Sequence, residues 1–316
     1  MHKIKNLVLS GGGLQGISFL GVLKYLSENN LLNEIENYVG TSVGSLICFL
    51  LLIGYTYEEL FNFCISFNME KLVKDPNLDN FLEFYGFESS NKLTYVIKRL
   101  MDNKNLSKDI TFLEFFNLNK KKLTITGVCV NNKKLNLFNY ENTPDMKILI
   151  AVTISCNIPI LFSPIKYENK LWIDGGAILN YPIEISDDLD NTLGIAIFDK
   201  QDLIEEDMED ILSYLSNLVK SMIYGSNNLT VEKYIFNTIR IDRNINFMTG
   251  FSIDKESMNN LFTNGYKIAS EQSYKLNKFI YSASIINVKK FIDIKSIDSY
   301  EDSDEYESDE EYIKFN

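Results

Sequence analysis

The chain has 316 residues, 45% of them apolar and 13% aromatic, which is ample for a buried core and excludes an intrinsically disordered protein. Its formal charge of −12 is unevenly placed: Asp298 to Glu311 carries nine acidic and no basic residues, and the rest holds 34 acids against 31 bases. The near-neutral body lacks a basic footprint, so no nucleic acid is expected as a partner, whereas the acidic tail suits a basic one.

In chain order, Ile4 to Ser10 is a short apolar run stopped by Gly11, the pattern of a buried parallel strand. Gly16 to Glu28 then sets Ile17, Leu20 and Leu23 on one helical face, Tyr38 and Val39 make a brief strand, and Val43 to Ile53 reads as a buried helix. Only Ile4, Leu7, Val8 and Leu9 follow the basic start before the first glycines, which is no signal peptide, and Leu46 to Ile53 is too short to span a bilayer. An intracellular, cytoplasmic protein that meets membranes peripherally is the expectation.

Thr56 to Phe116 is mostly helical in pattern, with no clear strand, and fits either a wall over a site or plain packing. Phe81, Phe84, Tyr85 and Phe87 within it stand at helical spacing, which favours core packing over membrane contact. Strands return at Leu123 to Val130 and Leu135 to Tyr140, followed by a helix around Asp145 to Thr153. A strand at Lys170 to Asp174 ends abruptly at Gly175-Gly176, and Thr192 to Phe198 is another buried strand. Beyond it come a helix from Ile204 to Met222, a strand at Tyr234 to Ile241, a helix from Asp254 to Phe279, and an edge strand at Ile285 to Ile297. Strands alternating with helices predict an α/β fold with a mainly parallel sheet. Cys48, Cys64, Cys129 and Cys156 are scattered in apolar stretches without CxxC spacing and read as buried free thiols.

Three segments carry chemistry. Gly11, Gly12, Gly13 and Gly16 lie between a strand and a helix, where three readings compete: a dinucleotide fingerprint with Glu34 or Glu36 as its acidic partner, an oxyanion hole of glycine N–H groups, or a tight turn. Gly40-Thr41-Ser42-Val43-Gly44 is a G-x-S-x-G between a short strand and an apolar helix, which presents Ser42 at a helix start. The bland reading is a serine N-cap. A serine hydroxyl needs a neighbouring base, and the one histidine, His2, stands at the extreme start of the chain. The base is therefore a carboxylate or a lysine. Asp174 ends an apolar strand before Gly175-Gly176; if the sheet is parallel, strand ends at its carboxyl edge bring Asp174 to Ser42. A simple Asp-Gly turn is the alternative.

Together the three motifs resemble the patatin-like phospholipase family, which combines a glycine-rich oxyanion loop, a G-x-S-x-G serine and an Asp-Gly-Gly/Ala aspartate in this order. Ser155-Cys-Asn-Ile-Pro-Ile-Leu-Phe-Ser-Pro and Leu179-Asn-Tyr-Pro-Ile add weaker likeness. The family usually carries Arg or Lys in the glycine loop, where this chain has Gln15, and loss of that charge near the oxyanion would slow turnover.

The resemblance implies a three-layer α/β fold with helices on both faces of the sheet. It further implies a patatin-like catalytic domain over 5–187; the strand and helix pattern beyond it reads as a C-terminal α/β extension over 188–297 packing on the same core, and the acidic run as a disordered tail over 298–316. The implied activity is lipid acyl hydrolysis by a Ser42–Asp174 dyad, with Gly11, Gly12 and Gly13 as oxyanion donors and Gln15, Gly16, Gly40, Gly44, Gly175 and Gly176 supporting the motifs. Phospholipid or neutral acyl lipid is the implied substrate, met at a membrane or micelle surface, with neither metal nor other cofactor. A catalytically weak lipid-binding scaffold of the same fold is the alternative.

Overall fold

The structure is a computed structural model that describes residues 4–67, 78–198, 211–243 and 253–273. The expected strand at Ile285 to Ile297, the acidic tail and the start of the helix from Ile204 lie outside these residues.

The fold is α/β. Five strands form the parallel heart of the sheet, in the order β10 (Thr238–Asp242), β9 (Thr192–Phe198), β1 (Asn6–Leu9), β2 (Asn37–Gly40) and β4 (Lys122–Cys129). Beyond β4 the sheet turns antiparallel: β5 (Lys134–Phe138) and β8 (Lys170–Asp174) pair with β4, and β7 (Ile165–Tyr167) pairs with β8. The sheet is thus mixed at one edge.

Side chains alternate across it, as the strand period demands. Leu7, Leu9, Ile195 and Ile197 enter the larger core, together with Phe19 and Leu23 of α1 (Ile17–Glu28) and Phe49 of α2 (Val43–Leu52). Val8, Val39, Ala196 and Phe198 face the other way, against Tyr181, Ile183 and Val231. Helices on both faces complete three layers.

Most elements lie where the sequence predicts. The segment between α2 and β4 holds α3 (Tyr57–Ser66), α4 (Leu78–Phe84), α5 (Asn91–Asn103) and α6 (Phe112–Asn119), but also β3 (Gly86–Glu88), which the sequence did not disclose. Its parallel partner is β6 (Ile160–Phe162), equally unpredicted. Three residues are too few to show an alternation, so only the pairing reveals such strands. Thr56 and Thr111 start α3 and α6 through capping boxes with Glu59 and Glu114.

After α7 (Ile148–Ser155) and β9 comes α8 (Ile211–Lys233), which runs past the expected end at Met222 through a polar, helix-poor stretch. Packing holds it: Val219 and Ile223 meet Ile158, Leu161 and Phe162, and Val231 meets the sheet. α9 (Lys255–Glu271) lies against α1 with backbones nearly touching. A Cβ at Gly21 would stand 1.9 Å from the Phe262 carbonyl oxygen, and one at Gly265 would stand 2.0 Å from that of Ser18. Among the described residues no helix is long and apolar enough to cross a membrane.

Candidate active site

Ser42 stands in the turn between β2 and α2. Its backbone has φ 55° and ψ −132°, a left-handed region that costs a non-glycine residue about 1–3 kcal/mol and is held only by tight surroundings. Those surroundings are visible. A Cβ on Gly40 would lie 2.5 Å from the Ser45 backbone, and one on Gly44 would lie 2.5 Å from the Ser10 carbonyl oxygen, so both flanking positions require glycine. The Ser42 N–H donates to Ser155 Oγ at 2.9 Å, and Ser45 Oγ donates to the Ser42 carbonyl at 2.7 Å. The serine is 6% exposed and offers no side-chain cap to its helix. It is a strained elbow rather than an N-cap.

Asp174 reaches it by a route different from the one expected. β8 runs antiparallel to β4, with Asp174 opposite Gly127, while β2 runs parallel to β4 and ends with Gly40 opposite Ile125. Two opposed strands therefore end near the same level of β4, and the residue between, Thr126, joins them. Its hydroxyl shares a 2.7 Å hydrogen bond with that of Thr41, and Gly175 packs directly on it.

The Asp174 carboxyl is 2% exposed. Burial pushes its pKa from 3.8 up to about 7, opposed by the neighbouring Ser42 side chain and by the Gly176 N–H, which donates to Oδ1 at 2.7 Å. The Asp174 N–H is itself held by the Asn157 carbonyl at 2.9 Å.

The glycine loop separates into parts. The Gly11 N–H, expected as an oxyanion donor, donates to the Asn180 carbonyl at 2.9 Å in this structure. No acceptor among the described residues takes the N–H of Gly12 or Gly13. Gly13, at φ 56°, opens the short helical turn that leads into α1. Gly16 packs on Val43, which ties the loop to the elbow.

Gln15 lies in the short helical turn that follows Gly12. Its side chain is buried and its amide donates to the Asp242 carbonyl at the end of β10, at 3.2 Å. Gly13, Leu14 and Gly16 border the cavity beside Ser42, and Gln15 does not.

Several residues that organise the site were not singled out by sequence. Ser155, Cys156 and Asn157 at the end of α7 touch, in turn, the Ser42 N–H, the Ser45 side chain and the Asp174 N–H. Asn180 accepts from Gly11 and passes its own amide to Asn227. The stretches beginning at Ser155 and Leu179 were the signal, although nothing in them indicated which atom does what. Cys48, Cys129 and Cys156 are buried free thiols, while Cys64 is only partly covered. Beside Ser42 opens a cavity of about 160 Å³ with an almost wholly apolar wall.

A family model described as patatin-like phospholipase matches residues 7–187. Probable lipid hydrolase 463L of Invertebrate iridescent virus 6 is 39% identical over 188 residues, which are 58% of this chain and 63% of that protein. The chain thus spans under two thirds of that relative's length. Uncharacterized protein R571 of Acanthamoeba polyphaga mimivirus is 32% identical over 287 residues, 87% of this chain and 95% of its own. Among solved structures, VipD from Legionella pneumophila shares the fold with a TM-score of 0.60 at 17% identity, covering 85% of this chain and 66% of that one.

Proposed function

The chain belongs to the patatin-like phospholipase family of lipid hydrolases, and we propose that it cleaves acyl esters of lipids with Ser42 as nucleophile and Asp174 as its base. The observation that carries this reading is a serine in a strained, buried elbow beside a buried carboxyl whose pKa burial pushes up to about 7. A carboxylate so tuned is half ionised near neutrality and is a much stronger base than one in water.

Asp174 accepts the Ser42 proton as Oγ attacks the acyl carbon. The Gly12 and Gly13 N–H groups face the charge that develops on the carbonyl oxygen, each donor contributing about 3 kcal/mol when well aimed. Collapse of the tetrahedral adduct breaks the bond to the alcohol, which leaves with the proton from Asp174. Water then attacks the acyl-serine, gives its proton to Asp174, and releases the fatty acid. Ser42 recovers its proton in the last step. Phospholipid and neutral glyceride both present such an ester, and access to either at a lipid surface follows from the family.

The test is fatty-acid release from mixed phospholipid and triacylglycerol micelles, with EDTA present, by the wild type, Ser42→Ala and Asp174→Ala. Activity that falls by about 10³-fold or more in each single variant is expected, since residues acting as a unit fail together. Full activity in folded Ser42→Ala would overturn the mechanism.

A further inference from the structure

The cavity beside Ser42 has a direction. Ser42, Val43, Leu46 and Leu50 line it along one side of α2, so it runs from the elbow toward the helix's far end. That end is closed. The Tyr55 N–H donates to the Leu50 carbonyl at 3.0 Å, and its hydroxyl donates to the Leu100 carbonyl of α5 at 2.9 Å. Leu50 and Leu100 both border the cavity and are 4% and 3% exposed. Tyr55 thus bolts α2 to α5 behind the last apolar side chains.

Resting on the proposal that Ser42 is the residue acylated, we propose that this blind cavity holds the acyl chain of the substrate, and that Leu50 and Leu100 at its end set the chain length accepted. Eight residues of helix separate Ser42 from Leu50, about 12 Å at the α-helical rise. That is the reach of roughly ten carbons of an extended chain with C–C bonds near 1.5 Å. A chain of this length leaves water for an apolar wall over its whole length. A longer one must displace Leu100 or leave its end outside. The alcohol of the ester departs on the open side of Ser42, so the chain is the part this cavity recognises.

Binding and turnover separate this inference from the reading beneath it. In the Ser42→Ala protein, straight-chain methyl esters from butanoate to tetradecanoate would be titrated by competition with a fluorescent acyl probe. Affinity is expected to climb about fourfold per methylene until about decanoate, then to level off. Leu100→Trp moves the break to shorter chains and Leu100→Ala to longer ones, while Leu118→Ala, on the exposed face of α6, leaves it in place. Affinity that keeps rising through tetradecanoate, or a break unmoved in both folded Leu100 variants, overturns the cavity's role.

Hydrolysis of p-nitrophenyl esters of the same chains by wild type and Ser42→Ala is the companion measurement. A break in binding without Ser42-dependent hydrolysis upholds the chain site and removes the dyad. Ser42-dependent hydrolysis with no break does the reverse.

Discussion

Asp174 shows how a single environment sets both reactivity and cost. Burial pushes its carboxyl up to about pKa 7 against the Gly176 N–H and the neighbouring Ser42 side chain, which favour the anion. If it is the base, kcat/KM rises about tenfold per pH unit below about 7 and reaches a plateau above, measured on a soluble ester. Stability runs the other way. A carboxyl raised above its unfolded value stabilises the fold while both states are protonated, and that contribution is lost as pH rises from about 3.8 through about 7. The full span is worth roughly 4 kcal/mol at about 1.4 kcal/mol per pH unit. Asp174→Asn should therefore be inactive yet gain melting temperature relative to the wild type between about pH 5 and 8; an unchanged difference across that range would refute a raised pKa. Ser155 makes a separate test. Without its hydroxyl the buried Ser42 N–H loses its acceptor, a cost of about 1–3 kcal/mol. Ser155→Ala is expected to lower kcat with KM little changed. A selective rise in KM would instead place Ser155 in contact with substrate. Sequence reading named Ser42 and Asp174 because their neighbours, glycines and an apolar strand, are local. Ser155 lies 113 residues from the serine whose backbone it holds, and no local pattern announces such a contact.

At the scale of elements, boundaries followed local chemistry where caps were present and packing where they were not. The Thr111–Glu114 box fixes the start of α6 on residues adjacent in sequence. Thr111→Ala should cost about 1 kcal/mol, read from the urea midpoint at constant m-value. The α1–α9 contact is of the other kind. Gly21 and Gly265 let two helix backbones meet, and Gly265→Val would force them apart. Overpacking of that sort costs about 1–3 kcal/mol or more, and a melting temperature equal to wild type would mean that the crossing is looser than the distances say. β8 is the instructive case. Its residues were legible as a strand, but its direction was not, because an alternation of apolar residues is the same read forwards or backwards along a sheet. The antiparallel course decides that Asp174, rather than a residue at the other end of β8, stands opposite Gly127 beside the elbow.

For the whole molecule, the family match ends at residue 187, yet the sheet does not. β9 pairs with β1, β10 pairs with β9, and α9 covers α1. A chain truncated after Asp187 would leave β1 as a bare apolar edge and uncover the core face of α1. It is expected to be insoluble or unfolded; a soluble truncated chain with native-like circular dichroism and esterase activity would show that the later elements are dispensable. By itself the sequence determined the α/β class, the G-x-S-x-G that presents Ser42 at a helix start, the single histidine at position 2, and the family resemblance. Each of these is written in residues within a few positions of one another, or in composition. Only the tertiary structure decided that Gly11 is engaged and Gly12 and Gly13 are not, that Gln15 turns toward β10, and that helices leave an apolar cavity beside the serine. Those are facts about which distant backbone groups meet, and hydrogen bonding and close packing settle them only once the chain has folded on itself.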